Sequence, residues 1–311
     1  VPVLREGTFP LVPRYRLTGI PFGAALSTRR GRGTDLAGSR LYEPGDPISS
    51  IDWHASARLS TARAEEQFVV RQRFAEEAPR VVVVIDRRPS MALYPSGTPW
   101  LSKPDAVLAA TRTIVRSALV ARSAVGYVDH AGSSARSGTP FWISPRSRSP
   151  GEPIEGRVAS APYDAPEDSL ARALDFLGRP SAGLTPGSFV FVLSDFLAPL
   201  EPAALVVANW RRWELVPVIV QDPVWEQSFP ELPAILLRLA EPAGRKSLDV
   251  RLTRREARAL RAGNEARLSG LLDAFAAAKL DPVVLGASEQ RAVESSFLDW
   301  SERRLALRGR R

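Results

Sequence analysis

Residues 81–85 read Val-Val-Val-Val-Ile, and this run constrains the fold more than any other stretch of the chain. Five successive β-branched residues favour an extended backbone. A strand with one wet face would alternate apolar and polar residues. This one is apolar on both faces, so both faces need cover, as in a parallel sheet flanked by helices. Phe189–Leu193 and Leu215–Val220 have the same character. Residues 124–128, 140–144 and 282–286 read as shorter strands, and 234–239 and 247–252 as extended pieces. Helical patterns lie between them. One begins at Ser102-Lys103-Pro104-Asp105, with a capping hydroxyl, an early proline and a carboxylate near the positive helix end. Others cover 167–177, 201–212, 253–278 and 288–307. This alternation predicts an α/β fold with a mostly parallel central sheet and right-handed crossovers. Ligands of such sheets gather at the carboxyl ends of the strands, where Asp86 and Asp195 fall.

The first 79 residues differ from the rest. Prolines at 2, 10, 13, 21, 44 and 47 and the glycine-rich stretch 29–35 predict an irregular region, with short strands at Leu11–Leu17 and Glu65–Phe74. The expected organisation is therefore an N-terminal region over 1–79 and an α/β domain over 80–311. The chain has no cysteine. Disulfides, thiolate metal sites and cysteine nucleophiles are excluded, and a reducing cytoplasmic setting is the expectation. No apolar run reaches the ~18 residues of a membrane span, and the N-terminus lacks a signal-peptide pattern. The net charge of +8 raises the possibility of a nucleic-acid partner. However, the basic residues are 39 arginines and three lysines, and the surplus concentrates toward Arg303–Arg311. That pattern reads as a solvated terminal helix, so nucleic acid is the alternative reading.

Common catalytic signatures are missing. The sequence has no phosphate loop ending in Gly-Lys-Ser/Thr, no His-Glu-x-x-His and no Gly-x-Ser-x-Gly elbow. Only His54 and His130 could serve as imidazole bases, and neither sits in a supporting motif. The expectation is a protein that is not an enzyme. Residues 38–68 are more informative. Pro44-Gly45 signals a turn. Asp46 and Asp52 flank it and could bond to it or pair with Arg40 and Arg58, while Trp53 supplies a large anchor with one donor. Two readings stay open: a structural knot of ion pairs around a packed indole, or a docking surface.

The pattern Arg40-x-Tyr42-x-x-Gly45-Asp46, Ile51-Asp52-Trp53, Ala57-Arg58 closely resembles the signature of the bacterial "domain of unknown function 58" family. That resemblance implies a Rossmann-like von Willebrand factor A-type domain behind a family-specific N-terminal region. It also implies an adaptor or chaperone-like role beside a MoxR-type AAA+ ATPase, in the form without a membrane hairpin. Such domains hold Mg²⁺ or Mn²⁺ with Asp-x-Ser-x-Ser, a distant threonine and a further aspartate. Here Asp86 matches the first aspartate, Arg88 the first serine, Ser90 the second, Asp168 the threonine and Asp195 the last aspartate. A guanidinium has donors only and cannot ligate a metal. The expectation is a degenerate site in which Arg88 replaces the cation among Asp86, Asp168 and Asp195, with Arg87 in that role if the loop register shifts. In the alternative, Arg88 swings outward and the carboxylates still hold Mg²⁺ or Mn²⁺.

Overall fold

The computed structural model describes residues 6–13, 25–30, 36–43, 46, 48–63, 65–77, 79–93, 100–145, 151–198, 212–231, 234–240 and 247–309. The chain divides into two compact units. One is Tyr15–Pro79; the other joins Val1–Arg14 to Arg80–Arg311.

The smaller unit contains strands β1 (Ala25–Arg30) and β2 (Leu36–Leu41), helix α1 (Trp53–Arg63) and strand β3 (Val69–Glu77). Its sheet is antiparallel in the order β1-β3-β2. The β3 strand overlaps the expected one at 65–74. The α1 helix was not expected. Its only buried residue is Ser56, so it lacks the apolar stripe by which a sequence announces a helix. Its start is fixed by Asp52, whose Oδ1 accepts from Ala55 N while its carbonyl accepts from Ser56 N. Ser56 Oγ also accepts from Val69 N and ties the helix to β3.

The larger unit is built on β4 (Val81–Ile85), α2 (Lys103–Val120), β5 (Val125–Asp129), α3 (Ser133–Ser137), β6 (Phe141–Ile143), α4 (Gly151–Ser160), α5 (Ser169–Gly178), β7 (Phe189–Ser194), β8 (Glu214–Val220), β9 (Ala234–Ala240), β10 (Ser247–Thr253), α6 (Arg254–Ala277), β11 (Val283–Leu285) and α7 (Gln290–Gly309). Six strands form one sheet in the order β11-β8-β7-β4-β5-β6, parallel except for β6, which runs antiparallel to β5. β9 and β10 form a separate hairpin. The expected strand at Leu11–Leu17 is not present over residues 11–13, and residues 14–17 lie outside the described ones. The expected helix at 201–212 also lies almost wholly outside them.

The valine run sits at the centre of the sheet and is fully covered. Val81, Val83 and Ile85 face α2, α4 and α7, whereas Val82 and Val84 face α5 and the end of α6. Each such side chain contributes roughly 1.5–3 kcal/mol by leaving water. The first fourteen residues, expected with the N-terminal region, belong to this unit. Phe9 stacks on Phe297 at 4.7 Å and meets Trp300 edge-on at 5.7 Å. Its amide donates to Ser117 Oγ, and Arg304 Nη1 donates to the Val12 carbonyl. Among the described residues, no helix is long and apolar enough to cross a membrane.

Candidate functional site

Four adjacent strands each deliver an aspartate at the carboxyl end. Across the sheet these are Asp222 beyond β8, Asp195 after β7, Asp86 after β4 and Asp129 at the end of β5. All four are buried. A buried carboxylate is costly unless it is paired or hydrogen-bonded; Asp86, Asp195 and Asp129 have cationic partners, and Asp222 is held by neutral hydrogen bonds.

Asp86 is saturated. Its Oδ1 accepts from the amide and Nε of Arg88, and its Oδ2 accepts from Arg88 Nη2 at 2.6 Å and Ser194 Oγ at 2.7 Å. Arg88 Nη2 also lies 3.7 Å from Asp195 Oδ1, so one guanidinium spans the two central aspartates. Burial opposes the charge on Arg88, but Asp86 and then Asp195 outweigh it and raise its pKa.

Asp195 is held from the other side by Lys103. Lys103 Nζ donates to Asp195 Oδ2 at 3.1 Å, to Glu226 Oε1 at 2.6 Å and to the Ser90 carbonyl at 3.1 Å. An ammonium has three N–H bonds, and each finds an acceptor here. The other oxygen of Glu226 accepts from Asp222 N. Burial raises the Glu226 pKa against the pull of Lys103. The turn after β7 is strained: Phe196 has φ +49°, unusual for a bulky residue. It is fixed by its amide bond to Ser194 Oγ and by edge contact with Phe275 at 5.3 Å. That turn brings Asp195 back over the sheet edge.

Asp129 forms the outer end of the row. It takes a bidentate pair from Arg157, at 3.0 and 2.7 Å, and a hydroxyl bond from Tyr127. Arg87 is wholly buried beside it and donates to Tyr127 Oη and to the carbonyls of Ala161 and Val158, under the ring of Tyr163. Asp222 accepts from Trp100 Nε1 and from the amides of Val224 and Trp225.

The expected site residues therefore fall into two groups. Asp86, Arg88 and Asp195 come together. Ser90 joins them through its carbonyl, which meets Lys103. Asp168 does not join. It sits at the start of α5, half exposed, and pairs with Arg172 one helical turn on. Leu170, Ala173 and Leu174, through which Asp168 is aligned, are all buried on α5. That register does not determine where the Asp168 carboxylate points. Arg87 holds β5 rather than standing in for Arg88. Lys103 and Glu226 were missed. One signal existed for Lys103, a lysine in a chain whose basic residues are nearly all arginine. Nothing local marks Glu226. Among the described residues, no three acidic or imidazole groups converge as metal ligands.

Beside the row, His130 is buried with neither ring nitrogen hydrogen-bonded. Burial and then Arg172 hold its pKa below the usual 6.5. Below that value the unfolded chain takes up a proton that the folded chain resists. Stability is therefore expected to fall as pH drops through 6.5. Denaturant melts across this range should show the slope in the wild type and a flatter one in His130→Gln.

In the smaller unit, Arg40 pairs with Asp46 at 2.6 Å, as one expectation had it. Arg58 does not pair with Asp52; its Nε donates to the His54 carbonyl. The Trp53 indole is not packed away. It is 59% exposed and meets Phe68 edge-on, and Phe68 in turn meets Tyr42 edge-on. Gly45 lies outside the described residues.

The chain is 27% identical over 234 residues to "Uncharacterized protein Rv1480" of Mycobacterium tuberculosis (strain H37Rv), covering 75% of this chain and 69% of that one. "Uncharacterized protein Mb1516" of Mycobacterium bovis matches with the same identity and coverage. The solved structure titled "conserved hypothetical protein BatB" from Bacteroides thetaiotaomicron aligns with TM-score 0.37 and 15% identity, over 72% of this chain and 99% of that one. An aerotolerance-related membrane protein from Bacteroides fragilis aligns with TM-score 0.34 and 12% identity, over 63% and 97%. Residues 38–267, which carry the signature, the valine run and the whole aspartate row, match the model of the family described as "Protein of unknown function DUF58", and the chain belongs to that family.

Proposed function

We propose that this protein is a non-enzymatic binding module of von Willebrand factor A type. In this reading it works as an adaptor for a MoxR-type AAA+ ATPase, and its own cations occupy the place of the domain's metal ion. One observation carries the proposal: the two central aspartates, Asp86 and Asp195, are already neutralised by Arg88 and Lys103. Mg²⁺ requires hard oxygen ligands at about 2.0–2.1 Å in a near-octahedral shell. The residues present do not fit that ion. The Arg88 guanidinium lies between the carboxylates that would ligate it, Lys103 occupies the far side of Asp195, and Asp168 faces elsewhere. A divalent ion among these groups would meet two positive charges within a few ångströms. Their repulsion costs several kcal/mol even at an effective dielectric near ~20.

The same saturation argues against catalysis at this edge. A carboxylate accepting four or five hydrogen bonds is a poor base and a poor nucleophile, and Asp86 is in that state. What the edge holds is a buried network of paired charges, which suits a fixed recognition framework better than a reacting group. The cysteine-free composition supports a cytoplasmic setting.

Two titrations test the reading. Calorimetry with Mn²⁺ and Mg²⁺ is expected to give no binding heat with the wild type. Arg88→Ser, which frees the space beside Asp86, is expected to bind Mn²⁺ at least about tenfold more tightly. Pairing of the wild type with the nucleotide-free ATPase is expected to survive chelator. Micromolar metal binding by the wild type, or loss of pairing in chelator, would sink the proposal.

A further inference from the structure

We draw no further inference here: the strongest candidate, the exposed aromatic patch of Trp53 and Phe68 beside Tyr42 on the smaller unit, has exposed charges of both signs around it, Arg58 and Arg63 on α1 and Glu43, Glu65 and Glu66 on the flanking segments, and nothing in the structure shows what covers it.

Discussion

Lys103→Met is expected to lower the stability of the larger unit by roughly 3–5 kcal/mol, because it leaves buried charge without a partner. Lys103 is fully buried and is the hub of three acceptors on three separate segments: Ser90, Asp195 and Glu226. The variant keeps most of the stem volume and removes the ammonium. Asp195 then retains the Leu197 amide at 3.1 Å and Arg88 at 3.7 Å, both on Oδ1, and Glu226 retains only the Asp222 amide at one oxygen. For a unit of this size that loss corresponds to a drop in midpoint of roughly 6–20 °C. Lys103→Arg is expected to be destabilising too, since a planar fork does not fit a pocket shaped for three divergent N–H bonds. Adding Glu226→Gln to Lys103→Met should recover part of the loss, because one of the two orphaned charges is gone. Urea melts of the four proteins check this. A loss below about 1 kcal/mol in Lys103→Met would mean that the lysine does not hold the row together.

Phe9→Ala should cost the same unit roughly 3–5 kcal/mol, the usual penalty for emptying a packed aromatic site. The residue lies far from the sheet in sequence, ahead of the whole N-terminal unit, yet its ring stacks on Phe297 and touches Trp300 and Phe191. Its removal takes one member from a four-ring cluster and weakens the hold on residues 6–13, whose other anchors are the Ser117 and Arg304 bonds. Pro10→Ala, one residue on and only partly buried, serves as the control and should stay within about 0.5 kcal/mol. Equal effects at the two positions would show that the segment adds little to the core.

Much of the fold was legible before any coordinates. The valine run, the two other apolar runs and the intervening amphipathic segments demanded a covered parallel sheet, because hydrophobic periodicity is a local property of the chain. The antiparallel β6 and the hairpin β9–β10 were visible as strands but not as pairings, since pairing is decided by what lies alongside. Helix α1 was invisible. It buries almost nothing on its own account and is fixed by Asp52 and Ser56 through bonds to β3. Phe9 read as part of an irregular, proline-rich start, because its ring partners, Phe191, Phe297 and Trp300, lie far along the chain.

The candidate site divides along the same line. The sequence by itself determined that Asp86 and Asp195 would end buried strands at the same edge of the sheet and that an arginine, unable to ligate a metal, would stand two residues after the first. These follow from strand length and residue type. Tertiary structure alone decided which charges meet. It turned Asp168 outward to Arg172, one turn along its own helix, and brought Lys103 from α2 and Glu226 from a distant loop to close the row. Burial explains the difference. Inside the sheet edge every charge needs a partner within about 3–4 Å to offset its lost hydration, and only the folded geometry specifies which residue lies at that distance.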